Sequence, residues 1–126
     1  RGHRTGNHSY NHIRGFRYAT EEYVQNVKKA SEMIQSKLFR PPHGRIKPAQ
    51  LKALRKEYDI VMWDVITYDY DRGRSPERIL KTIRRNLRKG SVVVFHDSLK
   101  AKENVLEVLP KALAFWQSKG YSCALL

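Results

Sequence analysis

A chain of 126 residues is long enough for one domain with a real core and too short for two ordinary ones. Forty per cent hydrophobic and ten per cent aromatic residues exclude a disordered polymer, and no apolar run approaches the ~20 residues that cross a bilayer. Twenty-five Lys and Arg against 12 Asp and Glu give a net charge of +13, a field that suits phosphate backbones, anionic membranes or acidic polymers without specifying a fold.

The single cysteine, Cys123, excludes an intrachain disulfide, and its place in the apolar tail "YSCALL" predicts a buried packing role. The chain opens on Arg1 with no signal-peptide pattern, and reads as a processed or trimmed piece of something longer.

Along the chain, short strand-like or loop segments alternate with helical patterns. Residues 20–37 predict a helix, with Thr20 as N-cap and Glu21 and Glu22 at the positive end of its dipole. Tyr23, Val24, Val27, Ala30, Ile34 and Leu38 fall on one face. "LFRPP" follows as an extended segment in which Pro41 and Pro42 block any helix. Pro48 opens a second helix at a position where its missing N–H costs nothing, with Leu51, Leu54 and Tyr58 as the buried stripe.

"DIVMW", 59–63, has the length of a strand. Ser75-Pro76-Glu77 starts a helix whose buried face is Ile79, Leu80, Ile83 and Leu87 and whose stop is Gly90. "SVVVF", 91–95, reads as a strand buried on both faces, as in a parallel sheet. A last helix lies within 104–119, with Asn104 as a cap and Pro110 as a kink or later start, and "YSCALL" is a final strand. Alternating strands and helices of this length predict an α/β protein with parallel strands.

The unusual polar residues fall at the ends of these strands. Arg40 follows "LF", Asp64 follows "IVMW", and His96 and Asp97 follow "VVVF", the positions at which α/β folds place their chemistry. His8 and His12 in "GNHSYNH" have a spacing that can share one metal on a helix, but Ser9 stands where a zinc protease carries its glutamate, and Gly6, Asn7 and Gly15 favour a loop. By spacing alone, a polar loop and half a metal site both remain open. Arg40 in "FRPPHGR" either caps carbonyls or orients a catalytic carboxylate, and amides of that turn could serve an oxyanion. His96 is either a satisfied rim residue or a general acid. Lys81, Arg84, Arg85, Arg88 and Lys89 read as a solvated helix face matched to the dipole, with no aromatic interleaving of the kind that stacks bases.

Taken together, "GHRTGNHSYNH", "RPPHG", "MWDVITYDYD" and "VVVFHD" resemble the second to fifth motifs of the polysaccharide deacetylase family, the metal-dependent carbohydrate esterases built on the NodB homology domain. The tail "VLPKALAFWQSKGY" is similar to that family's last helix. The resemblance implies a partial, irregular (β/α) barrel lacking its first strands, with residues 1–126 forming the C-terminal two-thirds of a single domain.

By the same resemblance His8 and His12 are two of three ligands to a divalent metal, zinc first, with cobalt or nickel as alternatives, and Ser9 helps to hold their loop. Arg40 orients the base, the backbone amide of His43 contributes to an oxyanion hole, Asp69 belongs to the carboxylate network and His96 is the general acid. Pro42, Trp63 and Tyr70 face the glycan. The reaction implied is hydrolysis of acetyl groups, chiefly N-acetyl, from peptidoglycan or a chitin-like glycan, at the cell envelope or outside the cell.

Four departures from the family pattern stand out. The motif T-F-D-D-G, which brings the base aspartate and third ligand, is absent from residues 1–126, so this chain alone is expected to turn over weakly or not at all. His43 replaces a tyrosine, and Ile66 and Tyr70 replace an aspartate and a tryptophan. Strand edges left open predict either that more of the same chain supplies the missing strands or that the piece oligomerises. Two alternatives stay in view: a non-catalytic glycan-binding relative, and, on charge alone, a basic nucleic-acid-binding module. No nucleic-acid partner is expected, because no nucleic-acid motif is present.

Overall fold

In the computed structural model, which describes residues 2–126, strands and helices alternate as expected of a parallel α/β protein. The described residues divide into two units, one of residues 2–62 with Leu125 and Leu126, the other of residues 63–124.

The first unit is built on strand β1 (Leu38–Phe39), which pairs in parallel with β2 (Asp59–Ile60), Leu38 opposite Asp59 and Phe39 opposite Ile60. Helices α1 (Thr20–Ser31) and α2 (Pro48–Leu54) pack with them. Their meeting point is Phe39, fully buried, with the Tyr23 ring 6.4 Å away edge-on and the Tyr58 ring at 6.0 Å. Ile13, Val27 and Leu54 complete this core, and each such side chain contributes about 1.5–3 kcal/mol by leaving water.

Helix α1 is shorter than its periodicity predicts. It stops at Ser31 because the N–H groups of Met33 and Ile34 both donate to the Ala30 carbonyl, a tight turn that ends the ladder. Leu38 then pairs in β1 instead of riding on the helix. Thr20 is the first helical residue rather than a side-chain cap, and Ala19 holds the cap position. Helix α2 starts at Pro48 as expected, but its stripe centres on buried Gln50 and Leu54, with Leu51 half-buried. The apolar run "DIVMW" pairs only over Asp59–Ile60.

In the second unit β3 (Val65–Ile66) runs parallel to β4 (Val93–Val94), Val65 opposite Val93. Helices α3 (Pro76–Asn86) and α4 (Lys102–Ser118) pack together over Val65, Ile79, Leu80, Ile83, Val108 and Ala112. Ser75 caps α3, its Oγ accepting from the Arg78 N–H, and Pro76 takes the first helical position. The helix ends at Asn86, short of Gly90, and only Val94 of "SVVVF" is buried, its neighbours being half-buried. Strand β3 lies inside "MWDVITYDYD", where no strand was expected. Pro110 sits within α4 on an exposed position, where solvent can take the carbonyl its missing N–H leaves free.

Three further expectations are corrected. Residues 121–126 form no strand and are exposed, so Cys123 is exposed rather than packed, having no sheet partner to carry it inward. Asn104 is not a helix cap; its side chain donates to the Asp69 carbonyl at 2.8 Å. Asp64 precedes β3 rather than ending a strand, and its carboxylate accepts from the Val92 N–H at 2.9 Å and pairs with Arg88.

Candidate functional site

The "GNHSYNH" segment is a loop, fixed by the buried side chain of Asn7. Its amide donates to the Val27 carbonyl at 2.9 Å and to Ser31 Oγ at 2.8 Å, while its oxygen accepts from the Ser9 N–H at 2.9 Å. The Asn7 backbone bridges to β1, donating to Leu38 and accepting from Arg40. One buried side chain thus ties helix α1, strand β1 and the turn carrying His8. In the sequence Asn7 reads as a sign of a loop and as part of a motif lead-in, and nothing local reveals this role.

His8 Nδ1 lies 2.6 Å from the Arg40 carbonyl oxygen. A carbonyl only accepts, so Nδ1 carries the hydrogen and the Nε2 lone pair is left for another partner. The His12 ring stands 4.9 Å from His8, edge-on, and the His43 ring 4.7 Å from His12. Desolvation and the neighbouring His12 hold both His8 and His43 below the ordinary imidazole range, which favours their neutral forms. Ser9, His12 and His43 all take left-handed backbone conformations, with φ of 62°, 52° and 57°. Ser9 Oγ is buried without a hydrogen-bond partner.

Arg40 donates from Nε to the Val61 carbonyl at 3.1 Å and from a terminal nitrogen to that of Met62 at 3.3 Å. Among the described residues it pairs with no carboxylate, so the carbonyl-capping role is the one visible. Pro41 and Pro42 are buried beneath the His43 turn. Among the described residues no group of three His, Cys, Asp or Glu side chains is arranged to hold a metal. The imidazoles of His8 and His12, the first with its tautomer fixed by a carbonyl, are donors of the kind that fill two of the positions a zinc ion requires.

In the second unit the end of β3 runs into Thr67, Tyr68, Asp69 and Tyr70. Asp69 is fully buried, and both its oxygens serve His96: one accepts from the His96 backbone N–H at 2.6 Å, the other from ring Nδ1 at 2.6 Å. Thr67, also buried, donates its hydroxyl to the Val94 carbonyl at 2.8 Å and receives the Asp69 N–H at 3.4 Å. With Nδ1 donating to a carboxylate, the His96 Nε2 is the atom left for chemistry. Asn104 closes the network from α4 through the Asp69 carbonyl.

The Tyr70 ring is 4.7 Å from His96, edge-on, and the Tyr68 ring is 6.1 Å from Tyr70. Partial burial, then the neighbouring Tyr68 and carboxylates, raise the Tyr70 phenol above its ordinary range. Trp63 is half-buried, and Asp97 is exposed. The structure thus gathers His8, His12, His43 and Arg40 in the first unit, and Asp69, Tyr70 and His96 in the second.

No family model matches the chain. A peptidoglycan-N-acetylglucosamine deacetylase of Bacillus cereus is 31% identical over 127 residues, covering 94% of this chain and 46% of that protein. The solved structure of the Bc1960 peptidoglycan N-acetylglucosamine deacetylase superposes with a TM-score of 0.91 at 28% identity, over 99% of this chain and 62% of that one. A carbohydrate esterase family 4 pseudoenzyme from Bacillus anthracis matches with a TM-score of 0.80 at 25% identity, over 93% of this chain and 42% of its own. The chain therefore spans less than two-thirds of the length of these relatives.

The fold defines the class: α/β, part of the irregular (β/α) barrel of the NodB-type carbohydrate esterases. Over 94% and 99% of its own length, respectively, the chain is similar to these two peptidoglycan N-acetylglucosamine deacetylases, in keeping with the resemblance of its motifs to the polysaccharide deacetylase family.

Proposed function

We propose that the protein hydrolyses acetyl groups, chiefly N-acetyl, from peptidoglycan or a chitin-like glycan, with a divalent metal, and that residues 1–126 belong to one deacetylase domain acting at the cell envelope. The observation that carries this reading is the Asp69–His96 pair, in which a fully buried carboxylate holds both the backbone and the ring of one histidine. Burying a carboxylate to orient one imidazole is costly for structure alone and suits a general acid whose free nitrogen must face a leaving group.

His8 and His12 would hold the metal, with zinc favoured by imidazole donors and cobalt or nickel as alternatives. When bound, the metal polarises the acetyl carbonyl and activates water. Arg40 fixes the tautomer of His8 through its carbonyl and ties the loop to the end of β2 through its guanidinium. The amide of His43, in a turn of left-handed backbone, is assigned to the oxyanion. His96, oriented by Asp69, delivers the proton to the departing amine. Pro42, Trp63 and Tyr70 are assigned to the glycan, the exposed Tyr70 ring offering a face beside His96.

Two imidazoles are one donor short of the three protein ligands a catalytic zinc usually takes. The 126-residue chain by itself should therefore turn over slowly. Acetate release from N-acetylglucosamine oligomers and from peptidoglycan, with and without added zinc, tests the assignment. Slow release that needs zinc and disappears in His8→Ala and His96→Ala is expected. Fast zinc-dependent release by the chain alone would remove the missing-donor argument, and release indifferent to His96 would remove the acid.

A second reading is a non-catalytic glycan-binding relative. It is favoured by the absence of a three-donor group among the described residues and by the likeness to a pseudoenzyme. Glycan binding that survives loss of His8, His12 and His96, without stoichiometric metal, would choose it.

A further inference from the structure

The positive charge of the second unit is concentrated on α3 and the residues flanking it. Residues 72–89 carry eight Lys or Arg and a single acid, Glu77, whereas the rest of that unit has more acids than bases. Arg84 stacks over Phe115 and Arg88 pairs with Asp64, so those two are engaged. Arg78, Lys81 and Arg85 are exposed and pair with no carboxylate among the described residues. With Arg74, Thr82 and Asn86 they line a groove of about 430 Å³.

That groove connects to His96 through an unbroken series of rings. Arg74 lies over the Tyr68 ring at 4.3 Å, Tyr68 stands 6.1 Å from Tyr70, and Tyr70 stands 4.7 Å from His96. Tyr68 is held in left-handed backbone, φ 56°, and both tyrosines are exposed. Arg74 is partly neutralised by Asp71 at 3.6 Å, so the cations open to a ligand are the three beyond it.

We propose that this aromatic-to-basic track binds a glycan strand bearing carboxylates, with sugar rings on Tyr68 and Tyr70 and the carboxylates in the groove of Arg78, Lys81 and Arg85. The inference rests on the deacetylase reading for its glycan and adds the charge class of the substrate. Sugars stack on aromatic faces, and a carboxylate is the anion a glycan strand with attached peptides or acidic sugars presents. Nucleic acid fits less well, because the rings lie at one end of the track instead of between the cations.

Affinity measurements compare peptide-bearing peptidoglycan strands, the same strands with amidated carboxylates, neutral N-acetylglucosamine oligomers and inorganic polyphosphate. The variants are the triple R78Q/K81Q/R85Q and a control triple of equal charge change on exposed positions of the first unit, K52Q/R55Q/K56Q. The α3 triple should lose about tenfold for the carboxylated strand at low salt, a factor of roughly two per exposed pair. It should leave the neutral oligomer and the amidated strand unchanged, and the control should change nothing. The difference should shrink as salt rises.

Equal losses in both triples, equal losses on neutral and carboxylated glycan, or polyphosphate binding tighter than the carboxylated strand would each overturn the track. Acetate release separates the two readings. Release from neutral and carboxylated glycan alike, unaffected by the α3 triple, keeps the deacetylase and sinks the track. Charge-dependent glycan binding without any acetate does the reverse.

Discussion

Asp69 and Tyr23 show how differently one fold treats buried polar groups. Asp69 has an acceptor role to both hydrogens of His96 that face it, so Asp69→Ala would strand an N–H and a ring nitrogen in a half-buried place. That should cost roughly 1–3 kcal/mol in chemical denaturation and reduce acetate release by about 10²–10⁴ through the misplaced acid. An unchanged denaturation midpoint would show that solvent reaches the two donors. The Tyr23 hydroxyl, by contrast, is buried with no hydrogen-bond partner, and burial alone pushes its phenol up to about 12. Tyr23→Phe keeps the ring against Phe39 and removes the unpaired group. It should leave stability equal or raise it by up to about 1–2 kcal/mol, and a clear loss would reveal a partner such as buried water.

At the scale of elements, close approach and end-pairing decide more than propensity. The turn at Gly15–Arg17 leaves no room for a side chain on Gly15, where a Cβ would stand 2.6 Å from the Arg45 carbonyl oxygen and 2.7 Å from Gln50 Oε1. Gly15→Ala should therefore destabilise by about 1–3 kcal/mol, because a backbone carbonyl cannot step aside as a flexible side-chain tip can. A neutral result would mean that the Arg45 backbone shifts freely. In the second unit Asp64 fastens the start of β4 through the Val92 N–H and the end of α3 through Arg88, and these partners hold its carboxyl below the ordinary 3.8. A carboxyl depressed on folding stabilises above its unfolded value and loses that contribution as pH falls through the lower folded one. The stability gap between the protein and Asp64→Asn should be constant above about pH 5 and close below 3.8. A gap that persists at pH 2 would mean that the carboxylate's charge is irrelevant.

For the molecule as a whole, the chain's local signals were legible and its long-range polar ties were not. Pro48 and Ser75-Pro76 marked two helix starts because proline's fixed φ and serine's cap act within a few residues. The parallel order of strands followed from their alternation with helices, and the motif residues His8, Arg40, Asp69 and His96 were picked out before any geometry. The ties of Gln50, Asn7 and Asn104 were not, because each bonds to a segment 20 to 35 residues distant that no local pattern reveals. The Gln50 amide donates to the Gly15 carbonyl at 2.8 Å, which holds the Gln50 oxygen against the space a Gly15 side chain would need. Helix α1 was read too long because its apolar spacing continues into a residue the sheet claims.

Among the described residues, the four left-handed ones that are not glycine are Ser9, His12, His43 and Tyr68, and all lie in the stretches that carry the chemistry. Each conformation costs about 1–2 kcal/mol with a side chain present. A search for thermal tolerance would steer these positions toward glycine or asparagine, while a search for turnover or glycan capture would hold them as they are. Libraries screened both ways should diverge first at these four sites.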